Sequence, residues 1–256
     1  MVRGLDKFEE YFAGFGDAYI IIGGTACDLT LSDAGLRSRA TNDIDIILIA
    51  ENLSREFIQV FWKFISEGRY NKKERSSVRK NNFRFSDPLQ TSFPWQIELF
   101  SRKAIFDLPD YNIHITPIPL DEDLSSLSAI LMNDDYYNFT IQHSSGLGRL
   151  HLADIYSLII LKAAAYIDNK ARKSMGQNIS SRDVNKHKND IFRLIPLIPA
   201  DQNIALPSAI KSDMTEFCRL IQNDLPASSL FKELGAPGLK SEDLFETLKS
   251  IFTLSN

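Results

Sequence analysis

IIIGGTACDLTLSDAGLRSRATNDIDIILIA, residues 20 to 50, decides the reading of this chain. The apolar run Ala18 to Ile22 predicts a buried strand that enters a Gly23-Gly24 turn, and Thr25 to Ser32 predicts a short helix behind it. At the far end, Asn42-Asp43-Ile44-Asp45-Ile46-Ile47-Leu48-Ile49 predicts a second strand. Side chains alternate across a strand, so Asp43 and Asp45 share one face while Ile44 and Ile46 enter the other. Two carboxylates held that close repel unless a cation sits between them, and hard oxygen donors select Mg²⁺ or Mn²⁺ over zinc. A glycine turn at a helix start offers backbone N–H groups and the positive end of the helix dipole to a phosphate, and lets it come close. Together these features predict a site for a metal-bound nucleoside triphosphate.

The order of the features carries more than any one of them. It resembles the nucleotidyltransferase superfamily, and within it the AbiEii/AbiGii type toxin family of type IV toxin-antitoxin systems. Members carry G-G followed by R-x-T/S-x-D-x-D, matched here by Gly23, Gly24, Arg39, Thr41, Asp43 and Asp45. Eighteen residues lie between Gly24 and Asp43, a longer gap than in the small-molecule enzymes of the superfamily and normal for the toxin branch. The resemblance extends to Lys162-Ala163-Ala164-Ala165, matching K-x-x-A, and to Lys186-His187-Lys188-Asn189-Asp190-Ile191, matching a basic or His residue before D-[ILV]. Relatives commonly carry an arginine one or two turns after the lysine; this chain has Asn169 at the closer position, then Lys170 and Arg172.

Composition sets the frame. With 256 residues and 44% apolar content the chain has enough material for a substantial core, as one large domain or two small ones. Cys27 and Cys218 lie far apart and match no zinc spacing, which fits a reduced, cytoplasmic protein. Met1 to Phe8 lacks a signal-peptide pattern, and no apolar run approaches the roughly eighteen residues of a membrane span, so no membrane partner is expected. A net charge of −4 argues against a uniformly basic nucleic-acid binder. One basic stretch stands out: RYNKKERSSVRKNNFR, residues 69 to 84, has seven basic residues against one acid. It reads either as a solvated loop or, with Tyr70, Phe83 and Phe85 for stacking, as an RNA contact over residues 69 to 85.

Residues 53 to 67 place Phe57, Val60, Phe61, Phe64 and Ile65 at the spacing of a core-facing helix. In WQIELFS, residues 95 to 101, Trp95, Ile97 and Leu99 alternate with Gln96 and Glu98. That makes Glu98 a third carboxylate on a neighbouring strand, a metal ligand or general base; an ordinary surface glutamate is the alternative. Further strands are expected at Asn112 to Ile118 and Asn138 to His143, around an acidic stretch from Asp121 to Ser128. Helices are expected over about 150 to 172, 185 to 198, 209 to 223 and 241 to 253, with 173 to 184 a polar connection. Tyr156 and Tyr166 are assigned to the core, and His187 to a helix start or a substrate-facing position. The division falls near residue 145: a nucleotidyltransferase core over 1–145, then a helical domain over 146–256. With the resemblance, the fold class is α+β, a polymerase beta-like mixed sheet with helices, followed by a helical C-terminal domain.

Lys162 sits in an apolar helix, where its ammonium is costly unless it meets an anion, and a triphosphate would serve; a lysine snorkelling from the helix edge is the alternative. If the lysine reaches the triphosphate, the helical domain must fold back over the sheet. Asp190 is placed near a helix start, where a carboxylate also favours the dipole. The resemblance implies a Mg²⁺-dependent enzyme that moves a nucleoside monophosphate from an NTP to a hydroxyl acceptor. Asp43, Asp45, Glu98, Lys162 and Asp190 would carry catalysis, the first three as metal ligands. Gly23, Gly24, Thr25, Arg39, Thr41 and Lys162 would hold the nucleotide. It further implies an RNA acceptor, such as a tRNA end, and a toxin neutralised by a separately encoded antitoxin. The rival readings are an enzyme acting on a small molecule such as an antibiotic, and a nucleotide-binding module of the same fold without turnover.

Overall fold

In the computed structural model, residues 2–70, 82–101, 130–131, 133–199 and 201–254 are described. The fold is α+β, a mixed sheet with helices. Among the described residues its six strands are β1 (Tyr19–Ile22), β2 (Asp43–Leu48), β3 (Asn82–Ser86), β4 (Gln96–Phe100), β5 (Ser144–Leu147) and β6 (Leu150–Ala153), in the order β3-β4-β2-β1-β6-β5. The β2–β4 and β1–β6 pairs are parallel; β1–β2, β3–β4 and β5–β6 are antiparallel. The helices are α1 (Leu5–Phe12), α2 (Gly23–Asp33), α3 (Arg55–Gly68), α4 (Asp134–Gln142), α5 (Ile155–Ser174), α6 (Ser181–Leu194), α7 (Ser208–Ile221), α8 (Ser229–Leu234) and α9 (Ser241–Ile251). No helix among the described residues is long and apolar enough to cross a membrane.

The chain forms two compact units. The first takes residues 1–26, 40–132 and 144–153, and the second takes 27–39, 133–143 and 154–256.

In the first unit, alternation along the strands separates two faces of the sheet. Tyr19, Ile21, Ile44, Ile46, Phe85 and Ile97 share one face by register, and that face is dry. Helices α1 and α3 contact each other and supply Phe8, Phe12, Phe57, Phe61 and Phe64 to an aromatic core on that side. Phe8 and Phe12 meet the Tyr19 ring edge-on, and Phe61 meets Phe85. Such edge-to-face pairs add to the area term because a ring's positive edge faces its neighbour's negative face. Helix α3 is capped by Ser54, whose hydroxyl accepts from the Phe57 N–H at 3.0 Å, and it buries Ile58 where the spacing predicted Val60.

Five expectations need correction here. Asn138 to His143 is not a strand but lies mostly in α4, because the Asn133 side chain accepts from the Asp135 N–H and Asp134 and Asp135 favour the dipole. Its aromatic and β-branched residues suggested a strand; the cap and the burial of Tyr136, Tyr137, Phe139 and Thr140 at helical spacing make it a helix. The helix expected from residue 150 begins at Ile155, after an Asp154 cap, and residues 150 to 153 form β6 beside β1. Trp95 precedes β4 and is exposed, and Tyr156 is half-buried while Tyr166 is in the core. Tyr70 and Phe85 are not available for base stacking: both are buried, the Tyr70 hydroxyl donates to the Pro94 carbonyl at 2.8 Å, and Phe85 packs against Trp62. The strand expected at 112 to 118, the acidic stretch 121 to 128, the side chain of Phe83 and most of the basic run lie outside the described residues.

In the second unit, α5 and α6 make the most extensive helix pairing, and Ile159, Ile191, Phe192, Leu194, Met214 and Phe217 are fully buried. The 173 to 184 connection is shorter than expected, since α5 continues to Ser174 and α6 starts at Ser181 behind a Ser180 cap.

Phe64 tests the aromatic core. It is inaccessible to solvent and its ring lies within 6.3 Å, centroid to centroid, of Phe8, Tyr11, Phe12, Tyr70 and Phe93. We expect Phe64→Ala to lower unfolding free energy by about 3–5 kcal/mol in urea titrations. A loss under about 1 kcal/mol would show that this cluster does not anchor the sheet.

Candidate active site

The face of the sheet opposite the aromatic core is charged. Asp43 and Asp45 are half-buried in β2 while Ile44 and Ile46 between and beyond them are buried, as alternation requires. Across the parallel β2–β4 pair, Asp45 faces Glu98 and Asp43 faces Gln96; across β3–β4, Arg84 faces Glu98 and Ser86 faces Gln96. One row across the sheet therefore reads Arg84, Glu98, Asp45, with strands about 4.8 Å apart. Two sequence positions away on each strand, a second row reads Ser86, Gln96, Asp43.

Glu98 is 9% exposed and held tightly. Its Oε1 accepts from Arg84 Nε at 2.8 Å and from Gln96 Nε2 at 2.6 Å, and lies 2.8 Å from the other guanidinium nitrogen. Burial raises its pKa, the Asp45 carboxylate raises it further, Arg84 opposes, and Asp43 adds a smaller push upward. So Glu98 is no surface residue. It feels both aspartates.

Asp45 lies against the start of α2. A Cβ built on Gly23 would come 1.9 Å from Asp45 Oδ2, and Gly23 holds φ at 69°. Both facts demand glycine there. The helix begins at Gly23 itself, not after the turn, so its positive end points where the carboxylate sits. Thr25 is fully buried and its hydroxyl donates to the Asp43 carbonyl at 2.5 Å, which ties the helix start to β2. Thr41 is half-buried just before the strand.

By chemistry the donor set suits a hard cation: Asp43, Asp45 and Glu98 offer carboxylate oxygens on adjacent strands, crowded by like charge. Among the described residues, no group of three or more His, Cys, Asp or Glu side chains is arranged to hold a metal ion as it stands.

Lys162 and Asp190 meet in the second unit. Lys162 Nζ lies 2.8 Å from Asp190 Oδ2, and both residues are at most 5% exposed. The anion that the buried lysine demands is thus supplied by the chain, and the snorkelling alternative fails. Asp190 is not near a helix start. It is the tenth residue of α6, so it does not serve the dipole of that helix. Arg39 Nε reaches its two oxygens at 3.2 and 3.1 Å, and Arg193 reaches Oδ1 at 3.2 Å. Burial works against the charged carboxylate, but Lys162, Arg39 and Arg193 outweigh it and hold the Asp190 pKa down at about 2. Burial likewise disfavours the Lys162 ammonium, and Asp190 reverses the balance so that its pKa is raised. His187, inside α6 and not at its start, lies 3.3 Å from the Asn169 amide. Burial, then Lys162 and Lys186, keep its pKa well below the ordinary value.

Sequence reasoning missed Arg84, Gln96 and Arg193. Arg84 was counted only as part of the basic run, although its place between Phe83 and Phe85 gives the alternation of a strand. Arg193 stands three residues after Asp190 on the same helix face, a spacing readable in the sequence.

No family model and no curated protein matches this chain. Among solved structures it is similar to an antigenic nucleotidyltransferase-like protein from Paracoccidioides brasiliensis, with 14% identity and a TM-score of 0.48 over 98% of this chain and 95% of that one.

Replacing Asp190 by Asn should leave two buried cations short of their partner. We expect a loss of about 3–5 kcal/mol in chemical unfolding. Because the folded pKa is depressed below the unfolded value of about 3.9, the carboxylate's contribution is complete above about pH 4 and disappears as pH falls toward 2. The difference in stability between wild type and Asp190→Asn should therefore shrink over that interval, and a difference constant down to pH 2 would contradict the assignment.

Proposed function

We propose that the chain is a divalent-metal-dependent nucleotidyltransferase that moves a nucleoside monophosphate from an NTP to a hydroxyl acceptor and releases pyrophosphate. The observation that carries this reading is the row Arg84, Glu98, Asp45, with Asp43 two residues from Asp45 on the same face and the start of α2 against the Asp45 carboxylate. In this reading Asp43 and Asp45 hold Mg²⁺ or Mn²⁺ and Glu98 completes the shell or accepts the acceptor's proton. Bound there, the ion supplies charge neutralisation for the transferring phosphoryl group. Gly23 and Gly24 leave room for a phosphate near the helix start. Lys162, with Arg39 beside the same Asp190, is the group in the second unit whose chemistry suits an anion: three cations surround one carboxylate.

The acceptor is assigned to RNA, such as a tRNA end. This assignment rests on the family resemblance and on the basic run, and no longer on stacking by Tyr70 or Phe85. Lys72, Lys73, Arg79 and Lys80 are the proposed backbone contacts. A toxin role with a separately encoded antitoxin belongs to the same reading.

Incubation with Mg²⁺, each α-labelled NTP and total RNA tests it. RNA should become labelled, and Asp43→Asn and Asp45→Asn should each reduce labelling at least about hundredfold while circular dichroism stays native. Full labelling by Asp45→Asn would remove the metal role. Label moving to an antibiotic hydroxyl but not to RNA would replace the acceptor, and no transfer with intact nucleotide binding would favour the non-catalytic module.

A further inference from the structure

Arg84 has no assigned task in that chemistry, yet it lies in the row that carries it. Its side chain is 18% exposed, it stands directly across from Glu98, and two of its nitrogens come within 2.8 Å of the single oxygen Oε1. Gln96 Nε2 points at the same oxygen. Glu98 in turn faces Asp45 on its other side. A carboxylate between a guanidinium and a second carboxylate can keep the guanidinium, take up a proton, or share a cation with the aspartate. Keeping the guanidinium opposes sharing a cation, because the donors on Oε1 draw charge from the carboxylate and a fixed positive charge nearby repels a divalent ion.

Arginine forks match phosphate as well as carboxylate. A triphosphate brought to this face competes with Glu98 for Arg84. We propose that Arg84 is a positioning residue that keeps Glu98 from the cation until an anionic phosphate draws the guanidinium away, so that divalent-ion binding and nucleotide binding are coupled through this one side chain. The inference rests on the metal-dependent reading above and adds to it an order of events: two aspartates hold the ion first, and Glu98 joins with the nucleotide. It also gives a physical reason for an arginine on β3, at the edge of the sheet and beside the carboxylates.

The full-length chain and Mn²⁺ provide the test, with free ion followed by electron paramagnetic resonance, with and without an α,β-methylene NTP, after subtracting Mn²⁺ held by nucleotide alone. Wild type should bind Mn²⁺ weakly by itself and about tenfold or more tightly with the analogue. Arg84→Gln should bind it about tenfold more tightly without the analogue and gain little from adding it. Arg84→Lys, which keeps the charge and loses the fork, should fall between. Glu98→Gln uncovers the Arg84 charge, so its Mn²⁺ affinity without nucleotide should fall, while the tightening caused by the analogue disappears. A purely structural Arg84–Glu98 pair predicts otherwise, with lowered thermal stability in Arg84→Gln and Mn²⁺ affinity equal to or weaker than wild type; that result overturns the proposal. So does a tightening by the analogue that survives in Glu98→Gln, since Glu98 would then not be the ligand that joins with the nucleotide. Failure of the underlying reading looks different: no Mn²⁺ bound by wild type under either condition.

Discussion

Like charge confined to one face of a sheet is the constraint around which the first unit is built. Asp43, Asp45 and Glu98 stand on adjacent strands and are partly or largely withdrawn from water, where each ionised carboxylate raises the cost of the next. The neighbouring positions are explained by that cost. Gly23 has no side chain because the Asp45 carboxylate occupies the space, and α2 begins there, so a positive dipole end faces the negative group. On the other flank Arg84 supplies a full positive charge to Glu98. The opposite face bears none of this burden and is filled with aromatic rings. A sheet that is charged on one side needs its folding energy from the other.

The second unit solves the mirror-image problem. Here the converging charges are positive: Arg39, Lys162 and Arg193 meet on Asp190, and Arg193 also reaches Glu233. A buried ion pair seldom adds stability over a well-packed apolar pair, but removing one partner is severe. That asymmetry makes Asp190 a point on which α5 and α6 depend, because its loss leaves Lys162 and Arg193 charged inside a helix pairing. The low pKa of Asp190, the raised pKa of Lys162 and the depressed pKa of His187 are three readings of one field. Burial first, and then the neighbouring cations, push the His187 pKa down.

Much of this was legible from residue order, and the failures have physical causes. Alternation in Asp43-Ile44-Asp45-Ile46 gave the charged face, because a strand's period leaves no freedom once one face is buried. The same logic placed Glu98. It did not reveal Arg84, because a cluster of basic residues masks the alternation that a single arginine between two phenylalanines would show. Residues 138 to 143 read as a strand from their aromatic and β-branched content, and only the Asn133 cap and the tertiary burial of Tyr136 and Phe139 decide for helix. Leu150 to Ala153 read as helix because it runs without a break into an apolar helix. Its pairing with β1 is a long-range event that no local pattern encodes, though Gly148, at φ 61°, marks a hairpin turn in the sequence. Lys162 was correctly read as needing an anion. Sequence alone could not say that Asp190, twenty-eight residues on, supplies it.

Each unit concentrates charge of one sign: Asp43, Asp45 and Glu98 share one face of the sheet in the first, and Arg39, Lys162 and Arg193 converge on Asp190 in the second, where Arg193 also reaches Glu233 at 3.5 Å. A fold selected for stability alone would neutralise such groups or replace them with apolar residues of similar volume, since that substitution is often neutral or favourable. Retaining them costs stability in the absence of a ligand and returns it when a ligand of opposite charge binds, because anything that binds the native state alone stabilises it by mass action.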